Sequence, residues 1–201
     1  QDAVESIDLH QQQVKLASGN SYNYSNLVLA LGSITGYRHV EGAKEYALPF
    51  WTQEDAIAID RHLRDCLQQA VQTQDPEQRR QLLTVVIVGG GASGVEMAGT
   101  LADLLPHWYS ALAGNSDEIR VVLLNHGKEI LNGDVNAPLR EIAEKELQKR
   151  TIPVEIITGA EATTIHANAI EYKRNQQIET LSTRTTIWTA GTSINPLIKD
   201  L

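Results

Sequence analysis

Short, unbroken apolar runs alternate along the middle of this chain with stripes of helical period. Leu82–Val88, Ile119–Leu124 and Val154–Ile157 are rich in β-branched residues and lack polar alternation. That is the pattern of parallel strands covered on both faces. Between the first two runs, Val95, Ala98, Ala102 and Leu105 share one helical face, and Pro106 then predicts the end of the helix. Between the second and third, a helix is expected from about Asn136 to Arg150. Asn136 is its cap, Pro138 lies in the first turn, and Leu139, Ile142, Ala143 and Leu147 face inward. Glu141 and Lys145 form an outer i,i+4 pair. A further helix starts at Thr52, which with Asp55 forms a capping box ahead of the stripe Ala56, Ile59, Leu63, Leu67 and Ala70. Asp75-Pro76 reads as a polar turn leading back to the strand at Leu82.

The flanks follow a different pattern. Val4–Leu9 alternates, Val14–Leu16 continues it, and Ser18-Gly19-Asn20 is a turn. Leu27–Leu31 reads as an apolar strand ending at Gly32-Ser33, and residues 34–51 read as a connection. From Ala162 onward, hairpins return: Thr163–His166, Ala169–Lys173, Ile178–Leu181 and a last strand at Thr185–Trp188. A β-α-β-α-β unit over about 52–158 is thus bracketed by β-rich segments. This predicts an α/β fold with a Rossmann-like parallel sheet, inserted into a second domain of which the chain holds pieces. The expected divisions are 1–36, 37–160 and 161–201.

Composition narrows the chemistry. The 201 residues carry a net charge of −8, which argues against nucleic acid as a partner. No apolar run is long enough to span a bilayer, and no signal peptide is visible, so a soluble chain is expected. The single cysteine, Cys66, excludes an internal disulfide and a C-x-x-C redox pair; at helical spacing with Ile59 and Leu63 it reads as a buried thiol. No group of His, Cys and carboxylates has metal-ligand spacing, and no serine or cysteine stands in a nucleophile context.

The sharpest motif follows the first buried strand. Gly89, Gly91 and Gly94, in Gly89-Gly90-Gly91-Ala92-Ser93-Gly94, have G-x-G-x-x-G spacing. Alone the motif is weak. Between a buried strand and a helix it is the dinucleotide fingerprint: one glycine for the tight turn, one for pyrophosphate approach, one for helix–strand packing. The helix N-terminus adds free N–H groups and a positive dipole end.

With those residues in place, the chain resembles the type II NADH dehydrogenases, flavoproteins that pass electrons from a nicotinamide nucleotide to quinone. The resemblance runs through Tyr24–Ser33, Ala47–Ala56, Arg79–Thr84, the glycine motif, the connection Pro106–Glu118 and Ile187–Leu197. It implies FAD as a cofactor of the parent, with residues 1–36 as partial FAD-domain strands and 161–201 as hairpins returning to that domain. It also implies quinone as a partner and a peripheral parent at the cytoplasmic side of a membrane. A homodimeric parent fits it too. The family's first G-x-G-x-x-G, for the ADP half of FAD, does not precede residue 89 here. Its later Gly-Asp motif and membrane-anchoring tail are not found either. The chain therefore reads as a central fragment, inactive by itself and not expected to retain FAD. A sulfide:quinone or disulfide reductase of the same superfamily is an alternative parent, although such enzymes use cysteine pairs. A nucleotide-sensing module is a third reading.

The resemblance also bears on single residues. Glu96, in the first turn after Gly94, either is stabilised by the helix dipole or lines the nicotinamide pocket, as a glutamate does in the family. Asn125 stands after the second strand, where most of the family has Glu and where a dinucleotide fold places an acid against the ribose hydroxyls. Asparagine can bond a ribose hydroxyl without repelling a 2′-phosphate, which His126 and Lys128 could attract; both are otherwise solvated turn residues. NAD(P)H is therefore the expected cofactor. Trp188 walls the cleft or packs the core, and Gly191 allows close backbone approach to a dinucleotide.

Overall fold

The computed structural model describes residues 2–133, 135–199 and 201. Its chain divides into two compact units, one of residues 1–36 with 192–201, the other of residues 37–191. The sheet-forming hairpins of 161–182 and the strand after them thus belong to the larger unit, and the boundary falls after Gly191.

The smaller unit is built of β1 (Val4–Asp8), β2 (Gln13–Leu16), β3 (Ser21–Asn23) and β4 (Ser33–Thr35). β1, β2 and β3 form an antiparallel meander, and β4 pairs antiparallel with a late strand at Thr192–Ile194. The apolar run Leu27–Leu31 is not a strand. No strand among the described residues pairs with it, and Val28 is 86% exposed. Apolar composition alone does not make a strand where no neighbour accepts its backbone hydrogen bonds.

The larger unit runs α1 (Ala43–Tyr46), β5 (Leu48–Pro49), α2 (Gln53–Gln72), α3 (Pro76–Leu83), β6 (Thr84–Val88), α4 (Ala92–Ala111), β7 (Arg120–Asn125), α5 (Ala137–Gln148), β8 (Glu155–Thr158), β9 (Ala160–His166), β10 (Ala169–Arg174), β11 (Gln177–Ser182) and β12 (Thr185–Trp188). β13 (Thr192–Ile194) and α6 (Pro196–Lys199) return the chain to the smaller unit. Five parallel strands lie in the order β5-β12-β6-β7-β8. The antiparallel sheet β11-β10-β9 covers one face of it.

Alternation along β6 explains why all five of its residues are buried. Val85 and Ile87 pack toward α2 and α4, with Leu63, Ala98 and Leu105. Val86 and Val88 pack toward β9–β11, with Ile165, Ile170 and Tyr172. Each face of the central sheet therefore has its own apolar layer, which is why β6 and β7 show no polar alternation.

Three local expectations are corrected. Helix α4 does not stop at Pro106 but continues to Ala111. Proline removes the hydrogen bond to the carbonyl four residues back. Here the Ala102 carbonyl is satisfied instead by Ile152 N–H at 3.1 Å, so the helix passes through. Asp75-Pro76 is not a polar turn but the start of α3: the Asp75 carboxylate accepts from Glu77 N and Gln78 N, and Pro76 sits in the first turn. On α5, Leu147 is buried as expected, but Leu139 and Ile142 are 52% and 54% exposed. The helix packs on α4 through its Ala143–Leu147 edge, which turns Leu139 and Ile142 away.

Candidate functional site

The glycine turn leaves the C-terminal end of β6 in the centre of the parallel sheet. Gly89 has φ +118°, a conformation that a side chain would strain. Gly94 lies so close to the turn that an added Cβ would fall 1.8 Å from the Gly89 carbonyl oxygen. Thr189, just past β12, donates its hydroxyl to the carbonyls of Val88 at 2.9 Å and Gly89 at 3.2 Å, holding the turn from the neighbouring strand. Gly91 is the N-cap of α4, and no side chain among the described residues caps that helix. The first N–H groups of α4 thus remain available to an anion.

Asn125 ends β7 and holds the same turn from the other side. Its Oδ1 accepts from Gly90 N at 3.0 Å, and its Nδ2 donates to the carbonyls of Glu129 at 2.8 Å and Gly127 at 3.2 Å. Both amide protons are therefore used on backbone. A Cβ at Gly90 would sit 2.6 Å from the Asn125 side chain, so this packing requires glycine at the variable position of the motif as well. At the position expected to address the ribose, the Asn125 side chain lines the cleft while its amide is engaged with backbone on both sides.

The turn opens into a cleft of about 640 Å³ within the larger unit. That is the size of a small-molecule site. Its floor is the end of the sheet, at Val88, Leu124 and Trp188. One wall is Ala160–Thr163 of β9, and the other rim carries Arg38 and His39. The ionisable side chains along the lining are Arg38, His39 and His126 against the single carboxylate of Glu161. An open parallel sheet places its ligand at this edge, across a glycine turn.

From end to end, residues 1–201 match the pyridine nucleotide-disulphide oxidoreductase family. The chain belongs to that family. It is 32% identical to the type II NADH:quinone oxidoreductase Ndh of Mycobacterium tuberculosis, over 98% of this chain and 43% of that protein. It is 34% identical to the demethylphylloquinone reductase NdbB of a Synechocystis strain, over 100% of this chain and 45% of that protein. The chain thus spans less than half the length of these relatives. Its fold matches that of NDH2 from Plasmodium falciparum, solved with NADH, at a TM-score of 0.89 and 18% identity, covering 100% of this chain and 42% of the other. The sulfide:quinone oxidoreductase of Aquifex aeolicus shares the fold at a TM-score of 0.72 and 17% identity.

Within this member of the pyridine nucleotide-disulphide oxidoreductase family, the cleft gathers seven of the residues singled out from sequence: Gly89, Gly90, Gly91, Asn125, His126, Trp188 and Gly191. Ala92, Ser93 and Gly94 form the first turn of α4 beside it. Glu96 does not line it. It faces the groove between α4 and α5, with Gly99, Thr100 and Asp103, because residues spaced three, four and seven apart share a helical face. Lys128 likewise lies outside, on a groove with Lys145 of α5 and Lys149, which follows that helix. Trp188 combines both readings, being 2% exposed and part of the cleft floor. Sequence reasoning missed Thr189, Glu161 and the pair Arg38–His39. Only consecutive residues of positive φ would have marked that pair, and no sequence pattern reports them. No helix of the described residues is long and apolar enough to cross a membrane. Nor do the described residues group three or more His, Cys, Asp or Glu side chains as a metal site would.

Proposed function

We propose that the cleft binds a nicotinamide dinucleotide, NADH or NADPH, as the pyridine-nucleotide part of a flavin-dependent NAD(P)H:quinone oxidoreductase. The observation that carries this reading is the uncapped N-terminus of α4 behind a glycine turn that opens, at the end of a parallel sheet, onto a cleft of dinucleotide scale. The likeness to NADH:quinone and phylloquinone-type reductases, and to a fold solved with NADH, supports it.

The residues present fit the group. Gly89–Gly91 and the first turn of α4 would take the pyrophosphate on backbone N–H groups. The adenosine end would lie toward Asn125, His126 and Ala162, and the nicotinamide end toward Trp188 and Gly191. The bound nucleotide supplies a hydride. Thr189 and Asn125 keep the turn in the shape the phosphates require, and the buried Trp188 keeps water out of the cleft floor. FAD, quinone and a peripheral place at a membrane belong to the whole protein in this reading.

Calorimetric titration of NADH into the chain and into Gly91→Val tests it. Binding that the valine abolishes in a folded protein is expected. Equal binding by both proteins removes the glycine turn as the phosphate site.

A further inference from the structure

We infer that Arg38 is a phosphate ligand of this cleft, reserved for the phosphate on the nicotinamide side of the dinucleotide. The inference rests on the nucleotide reading above and adds a residue to it from outside the glycine motif.

Arg38 and His39 have consecutive positive φ values of 49° and 60°, and Val40 N–H donates to the Tyr37 carbonyl at 2.9 Å. That is the pattern of the mirror-image turn normally built from Asn and Gly. Two bulky residues in it are strained, and such strain persists only where the surroundings impose it. Here both ends of the turn are tied down. The Tyr37 ring lies 5.8 Å from that of Trp188, under the cleft floor. Beyond the turn, Glu41 exchanges backbone hydrogen bonds with β9, through Thr163 O at 3.3 Å and Ile165 N at 2.8 Å. The turn is therefore anchored to the floor and to the β9 wall, and it carries Arg38 on the opposite rim.

The guanidinium lies against Gly191. A Cβ added at Gly191 would be 2.9 Å from Arg38 Nε and 3.2 Å from Nη2, so Gly191 provides the room that Arg38 occupies. Among the described residues no carboxylate pairs with Arg38. A planar, permanently charged fork, exposed on the rim of the cleft with no ion-pair partner among the described residues, suits the bidentate recognition of phosphate.

Sheet order decides which phosphate. β12 and β7 flank β6, so Gly191 and Asn125 stand on opposite sides of the glycine turn. The adenosine half of a dinucleotide lies toward the β7 side. Arg38, over Gly191, is left with the nicotinamide half.

The test is calorimetry of NADH, nicotinamide mononucleotide and AMP with the wild-type chain, Arg38→Ala and Arg38→Gly, with thermal unfolding of each. Charge-assisted hydrogen bonds of this kind correspond to roughly tenfold or more in affinity. The expected result is a loss of that size for NADH and nicotinamide mononucleotide in both variants, with AMP unchanged. Arg38→Gly should unfold no lower than wild type, because glycine accepts the positive φ freely. That outcome separates a ligand residue from a structural one. Unchanged NADH binding in both variants overturns the inference while the nucleotide reading stands. An equal loss for AMP overturns the choice of phosphate. A wild-type chain that binds no NADH overturns both readings.

Discussion

Asn125 Oδ1 accepts a hydrogen bond from Gly90 N at 3.0 Å, joining the end of β7 to the middle of the glycine turn. The same amide donates to two carbonyls, of Gly127 and Glu129, so one side chain fixes the turn after β6 and the turn after β7 together. An aspartate can keep the bond to Gly90 but has no protons for the two carbonyls, and it sets an anion against them. Asn125→Asp should therefore lose about 0.5–1.5 kcal/mol of stability, the scale of a partly exposed hydrogen bond lost. Urea unfolding would register this as a lower midpoint at unchanged slope. A midpoint equal to wild type would mean that the three bonds do not hold in solution.

Gly94→Ala tests the other side of the turn. An added Cβ would meet the Gly89 carbonyl oxygen at 1.8 Å, and backbone cannot swing aside as a side chain can. Overpacking of this kind costs about 1–3 kcal/mol, occasionally more. Loss of nucleotide binding and a lowered melting temperature should appear together. Gly99→Ala, on the same helix, is the control: its Cβ would meet Leu147 at an ordinary 3.5 Å. It should melt at or above the wild-type temperature, since alanine is the better helix former by about 1 kcal/mol.

A pH dependence follows from the contact of α2 with β12. His62 Nε2 lies 3.1 Å from the Arg184 carbonyl, 3.0 Å from Thr185 Oγ1 and 3.5 Å from Cys66 Sγ. Burial pushes its pKa down, against a smaller upward pull from the Arg184 carbonyl and Asp65. The unfolded chain thus binds this proton more readily than the folded one. The contribution of His62 is complete above the unfolded value near 6.5 and is lost as pH falls through the lower folded value. Melting temperature measured from pH 8 to 5 should fall more steeply in wild type than in His62→Gln. Parallel curves would contradict the assignment.

The larger architecture was legible because each signal was local and consistent. The runs Leu82–Val88 and Ile119–Leu124 supply β6 and β7, although Leu82 and Leu83 end α3 and Ile119 precedes β7, and the Thr52–Asp55 capping box and the Asn136 cap appear where their patterns put them. The failures came where a distant residue decides the outcome. Pro106 stays helical because Ile152, 46 positions later, satisfies the Ala102 carbonyl. Leu139 has the composition of a core residue, but α5 meets its neighbour along another edge. Arg38 carries no motif at all; its place depends on backbone angles and on the absence of a side chain at Gly191.

Cofactor choice is the last consequence. The position at the end of this strand usually carries an acid that bonds the adenosine ribose and repels a 2′-phosphate. Here it is neutral, its amide is spent on backbone, and exposed His126 lies beside it on the cleft. NADPH should therefore bind alongside NADH. The remaining carboxylate of the lining is Glu161, on the β9 wall. A unit charge about 4 Å from a phosphate corresponds to about 1–4 kcal/mol between full and partial solvent screening. Glu161 is exposed, which selects the lower end. Glu161→Gln should move the NADPH:NADH affinity ratio toward NADPH by a few-fold. Asn125→Glu should move it toward NADH by roughly tenfold, since 1.4 kcal/mol is a factor of ten. Because Asn125→Glu also breaks the brace on Gly90, both affinities should drop, and only their ratio reports the charge. Calorimetric titration of the three proteins with both nucleotides gives that ratio directly. If neither substitution moves it, the adenosine ribose does not lie between Asn125 and Glu161, and the placement of the dinucleotide across β6 has to be reversed.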